Sequence, residues 1–176
     1  VTVTLPTETD ELPPAPAFSL TVYGIPAPQG SKKPVGNRIS KRGNLVPVLV
    51  ESSKKVKPWR EAVDDTARKA LGRIPGWVKL DGPLIAEMHF TLPAPQRMPK
   101  GRTAPTVYPD LSKLLRSTED ALTTAGVWAD DARVVRYRDM SKNYPGAGPY
   151  ALEQPGVTLL IWRDQPGLIP AWAPAS

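Results

Sequence analysis

Residues 109–135 read PDLSKLLRSTEDALTTAGVWADDARVV, and this stretch sets the fold. Projected at about 100° per residue, Leu111, Leu114, Leu115, Thr118, Ala121, Leu122 and Ala125 fall within an arc of roughly 120°, the pattern of a helix with one buried face. Lys113, Arg116 and Asp120 group on the other side. Asp110 stands at the N-cap position, and Gly126 follows the last periodic residue as a C-cap. The acidic pair Asp130 and Asp131 comes just after the helix, so the chain can turn back and carry those carboxylates towards Asp110. Carboxylates gathered beside basic residues point to a divalent cation and a phosphate.

Working outward from this helix, 176 residues are enough for one domain with a real core. No run of about 20 apolar residues and no signal-peptide pattern is present, so no membrane partner is expected and a cytoplasmic location is the default. There is no cysteine and a single histidine, His89. Disulfides, thiolate sites and histidine-rich metal sites are therefore excluded, and any metal must be held by oxygen, which suits Mg²⁺ or Mn²⁺.

The net charge is +6. Residues 1–17 hold Glu8, Asp10 and Glu11 with no base, and residues 164–176 hold Asp164 alone. Setting those four acids aside leaves the body at +10. A basic body around an acidic cluster is a common charge layout for an enzyme acting on nucleic acid, and the same excess of base also serves solubility alone. Residues 1–17 are read as a flexible, Pro-rich arm, 18–163 as the folded domain and 164–176 as a tail.

Phe18–Ile25 alternates as a first strand. Pro26–Lys57 reads as a long basic loop with a short strand at Leu45–Val50, and Lys32, Lys33, Arg38, Lys41 and Arg42 make it a candidate DNA contact. Pro58 opens a second helix that runs to Gly72, with Trp59 as a core anchor. Leu84–Leu92 is a strand, with Leu84, Ala86, Met88, Phe90 and Leu92 on one face and Ile85, Glu87, His89 and Thr91 on the other. His89 is read as a structural residue, either a partly buried, hydrogen-bonded imidazole or a surface side chain. The Pro-rich loop 93–109 adds Arg97, Lys100 and Arg102 with no acid and delivers the chain to Asp110. Val134–Arg138 and Gly156–Arg163 complete the strands.

Spacing limits which acids cooperate. Asp110 and Asp120 are about 15 Å apart on one helix, so they do not share an ion within one chain, and Asp120 is assigned as an i,i+4 partner of Arg116. Asp130 and Asp131, adjacent in an extended chain, point to opposite faces. Geometry alone does not choose between them.

The pattern PDLxxLxxxxxDALTxAGVWxDDAxVV resembles the RusA family of Holliday-junction resolvases over about 27 residues. A weaker similarity in element order runs from about Ser19 to Arg163. The resemblance implies an α/β (α+β) fold with a small mixed sheet and two main helices packed on it. It also implies a homodimer, Mg²⁺ dependence, and paired nicks in a four-way DNA junction in the cytoplasm of a bacterial host, encoded by a phage or prophage. It matches Asp110 and Asp131 to catalytic, metal-binding aspartates, with Lys113 and Arg116 near the phosphate. Two positions depart from the family pattern. Ser112 stands where the family has its second catalytic aspartate, and Arg116 where it has a lysine. Asp130 and Glu87 are candidates for the missing carboxylate. A second expectation, from a different class, is a junction-binding scaffold without catalysis; a third is an RNA or flap nuclease.

Overall fold

The computed structural model describes residues 15–30, 32–41, 43–51 and 54–164. The acidic arm up to residue 14, Arg42 and residues 165–176 lie outside them, as do the side chains of Lys32, Lys33 and Arg38.

Six strands and two helices follow in the order β1 (Phe18–Tyr23), β2 (Lys32–Ile39), β3 (Leu45–Glu51), α1 (Val56–Leu71), β4 (Leu84–Thr91), α2 (Leu111–Ala125), β5 (Val134–Asn143) and β6 (Gly156–Arg163). The main sheet has the order β1-β6-β4-β5. β6 is antiparallel to both β1 and β4, whereas β5 runs parallel to β4. This is the mixed sheet with two helices that the family resemblance implies.

A parallel pair needs a long crossover, because its ends lie at opposite edges. Residues 92–133 supply it, with α2 at its centre. The fold therefore places the helix and its two acidic flanks in the connection between two neighbouring strands.

Central β4 and β6 are largely buried on both faces, β6 through its apolar run and β4 by enclosing Glu87, His89 and Thr91 as well as its apolar residues. β1, at one edge, alternates strictly between buried and exposed residues. Gly156, opposite Tyr23, sits where a Cβ would meet Val22 O at 2.2 Å, so the close approach of β1 and β6 depends on that glycine. Gly126, at φ +86°, closes α2 in the left-handed conformation and donates its N–H to Leu122 O and Thr123 O.

The α2 stripe is buried as its periodicity demands, with Leu114 and Leu122 fully enclosed and Leu111 packed at the edge. Trp59 of α1 is 2% exposed and donates its indole N–H to Thr118 Oγ1 at 3.1 Å. It is the expected core anchor. Losing it would cost roughly 3–5 kcal/mol.

Two expectations are corrected. The segment 26–57 is not a long loop with one short strand, since β2 and β3 form an antiparallel hairpin with Lys32 opposite Glu51 and Ile39 opposite Leu45. Pro34, Gly36 and Asn37, residues depleted in strands, hide β2 in the sequence, and the register shifts between Pro34 and Gly36. β5 is also twice the expected length, reaching Asn143. Among the described residues no helix is long and apolar enough to cross a membrane.

Candidate active site

Asp110 has the extended backbone of an N-cap, and its carbonyl accepts the first helical N–H groups, from Lys113 and Leu114. Its carboxylate makes no capping bond. Instead Lys113 Nζ stands 3.2 Å away, with both side chains about half exposed. A pair so exposed contributes about 1 kcal/mol at most. Asp110 thus keeps an accessible carboxylate at the start of α2.

The approach to Asp110 is fixed from two sides. Lys142, near the end of β5, donates to Val107 O at 3.0 Å and to Pro109 O at 2.9 Å. From the other side, the segment after β1 binds the first turns of α2, with Gln29 N donating to Lys113 O at 2.9 Å and Ser117 Oγ to Ala27 O at 2.6 Å. The hairpin β2–β3 springs from this same segment. The side-chain oxygen of Gln29 is buried and has no hydrogen-bond partner among the described residues.

Ser112, Arg116 and Asp120 follow at i,i+4 spacing along α2. Ser112 and Arg116 are exposed, and Arg116 makes no ion pair among the described residues. Asp120 is not the partner of Arg116, which corrects the sequence assignment. Arg60 of α1 takes it at 3.1 Å, because the two helices pack side by side there.

Beyond the helix, Asp130 caps a 3₁₀ turn (Asp131–Arg133) by accepting from Ala132 N at 2.9 Å. Asp131 opens that turn. Burial, then the neighbouring Asp130 and the charge of Asp120, push its carboxyl above the usual range. Glu119 is a member of this acidic group that the sequence reading missed. It is buried on α2, accepts the Tyr137 hydroxyl, and is pushed up by burial and by the charges of Asp131 and Asp120. Burial and the Glu119 carboxylate in turn hold the Tyr137 phenol well above its ordinary range. One signal was present: Glu119 lies one turn after Leu115 and one turn before Leu122, bordering the apolar arc about 40° beyond Leu115 at about 100° per residue.

Asp131 therefore lies with Glu119 and Asp120, whereas Asp110 lies with Lys113 at the other end. Ten residues of helix separate Asp110 from Asp120, about 15 Å. β5 agrees with that figure. Tyr137, bonded to Glu119, and Lys142, bonded to Pro109 O, are five residues apart, about 16 Å of strand. Within one chain the turn after α2 does not bring Asp131 to Asp110. No group of three His, Asp or Glu side chains that could hold a metal is found among the described residues.

Glu87 faces elsewhere. Its carboxylate accepts from Arg138 Nε at 2.7 Å and meets His89 Nε2 at 2.9 Å. Arg138 follows Tyr137, which points at α2, so Glu87 lies on the sheet face away from α2. His89 is fully buried, with Ser141 Oγ 2.8 Å from Nδ1 and the Tyr150 ring stacked at 4.1 Å. It is the structural imidazole expected. Of the candidate DNA contacts described, Lys41, Arg97 and Lys100 are exposed and Arg102 is half-buried.

The oxygen donors exposed at the start of α2 are the Asp110 carboxylate and the Ser112 hydroxyl. That chemistry fits Mg²⁺, which takes oxygen ligands, keeps several waters, and needs only one or two carboxylates beside a substrate phosphate.

A family model described as Endodeoxyribonuclease RusA matches residues 27–159, most of the chain and all of the site. No curated protein shows a significant match.

Proposed function

Because the chain belongs to the RusA endodeoxyribonuclease family, we propose that it is a divalent-metal-dependent endonuclease that cuts four-way DNA junctions as a homodimer. One observation carries this reading. α2 presents an exposed carboxylate, Asp110, and an exposed guanidinium without an ion pair among the described residues, Arg116, at the mouth of a crossover bounded by basic loops.

Asp110 and Asp131 are the carboxylates that would hold the ion. When bound, Mg²⁺ polarises a phosphate and lowers the pKa of a bound water. Arg116 grips the phosphate through its fork and, being permanently protonated, acts by charge and geometry and not by proton transfer. Lys113, released from Asp110 when that carboxylate takes a metal, offers a second positive charge to the same phosphate. Arg97, Lys100 and Arg102 steer the DNA backbone towards it.

The separation of Asp110 from Asp131 supports a shared site between two copies. One ion bound by both side chains would take Asp110 from one chain and Asp131 from the other. Mixing Asp110→Asn with Asp131→Asn tests this. Shared sites regenerate one intact site per mixed dimer, and nicking of one strand returns. Sites confined to one chain leave the mixture inactive.

A second reading has its own support: Ser112 brings no charge where the family has a catalytic aspartate. On that reading the chain binds junctions and does not cut them. Tight, salt-sensitive junction binding with no nicks in Mg²⁺ or Mn²⁺ would establish it.

A further inference from the structure

A cleft of about 350 Å³ opens beside the start of α2. Its inner wall is apolar and stiff, built from Pro28, Pro105 and the buried Tyr144, while Tyr108, 67% exposed, stands at the edge. Lys55 and Arg102 line the same cleft. Neither makes an ion pair among the described residues. Tyr108 lies two residues before Asp110, and Lys142 holds the carbonyls on both sides of it, so its position is fixed relative to the cleavage site.

The size falls at the low end of clefts that enclose a small molecule. It suits one nucleotide and not a duplex. Proline and tyrosine faces offer stacking surfaces to the π-face of any base, and two uncommitted cations suit the phosphates on either side of it. A base leaves its stack at low cost only where pairing is already disturbed. At a four-way junction that place is the branch point, next to the phosphates to be cut.

We propose that this cleft is a subsite for a single unstacked nucleotide at the branch point, with Tyr108 stacking on its base and Lys55 and Arg102 meeting its phosphates. The subsite rests on the reading of α2 as a junction-cleaving site, and it supplies a means of choosing branched over linear DNA.

The experiment uses the full chain and junctions carrying 2-aminopurine either at the crossover or in mid-arm, with cleavage of the unlabelled junction measured in parallel. Binding should change the crossover fluorescence and leave the mid-arm signal unaltered. Tyr108→Ala should weaken junction binding about tenfold and abolish the change, whereas Tyr108→Phe keeps both. Equal responses from wild type and Tyr108→Ala overturn the subsite, as does the absence of any response on the junction and on a short single strand. Cleavage without a crossover response removes the subsite and leaves the nuclease. A crossover response without cleavage keeps the subsite and removes the nuclease.

Discussion

Arg60 of α1 holds Asp120 of α2 at 3.1 Å. This pair joins the two helices on the sheet and commits Asp120 to structure, leaving Arg116, one turn earlier, available to a phosphate. With both side chains about one-third exposed, the pair contributes about 1 kcal/mol or less. Asp120→Asn should therefore leave junction cleavage within about threefold of wild type and lower stability only slightly. Arg116→Ala should lower cleavage by more than about a hundredfold with little change in stability, as removal of a charge aimed at the reacting phosphate does. Cleavage assays and thermal melts of the two variants side by side check the contrast.

Much of this arrangement was legible in the sequence. α1 and α2 declare themselves by period and by their stops, β4 by alternation and β6 by its apolar run. The hairpin β2–β3 was not legible, because Pro34, Gly36 and Asn37 speak against a strand and only pairing with β3 overrides them. The far half of β5, from Asp139 onward, is polar because it lies at a sheet edge, where burial leaves a weak pattern. At the site, periodicity placed Asp110, Arg116 and Gly126 correctly. It could not see that Arg60 would reach Asp120, since ion pairs between helices are set by packing, nor that Asp131 would lie with Glu119 and Asp120.

Glu119 gives a pH dependence. Burial and the charges of Asp131 and Asp120 raise its folded pKa, so the folded state binds the proton more tightly than the unfolded chain does. Its contribution to stability is fully present below the ordinary Glu range and is lost as pH rises through the raised value. Glu119→Gln keeps an acceptor for the Tyr137 hydroxyl and removes the buried charge. The variant should melt higher than wild type at pH 7 and lose that advantage at pH 3. A lower melting temperature at pH 7 would contradict the assignment.

Ser112 is exposed in the first turn of α2, where an aspartate is also favoured by the helix dipole by about 0.3–1 kcal/mol. Ser112→Asp should therefore fold normally. If the missing carboxylate limits the native site, Mg²⁺-dependent cleavage rises at least about tenfold, a gain of some 1.4 kcal/mol in transition-state stabilisation. An unchanged rate would show that the other residues already suffice.

The basic loop before α2 should reveal itself through salt. Replacing Arg97, Lys100 and Arg102 together by Ala should lower the slope of log K against log salt by up to about 3, one for each phosphate that is no longer neutralised. Binding measured from 50 to 200 mM salt gives the slope directly. An unaltered slope would place the DNA elsewhere.

Everything proposed for α2 depends on Asp110 and Asp131 serving one metal-dependent cutting reaction on branched DNA. The decisive assay incubates a synthetic four-way junction with wild type, Asp110→Asn and Asp131→Asn, each with Mg²⁺ and with excess chelator, and follows binding alongside. Paired nicks by wild type in Mg²⁺ alone are expected, with none by either variant and junction binding by all three. Robust cleavage in chelator, or by either variant, would contradict a metal held by these two aspartates.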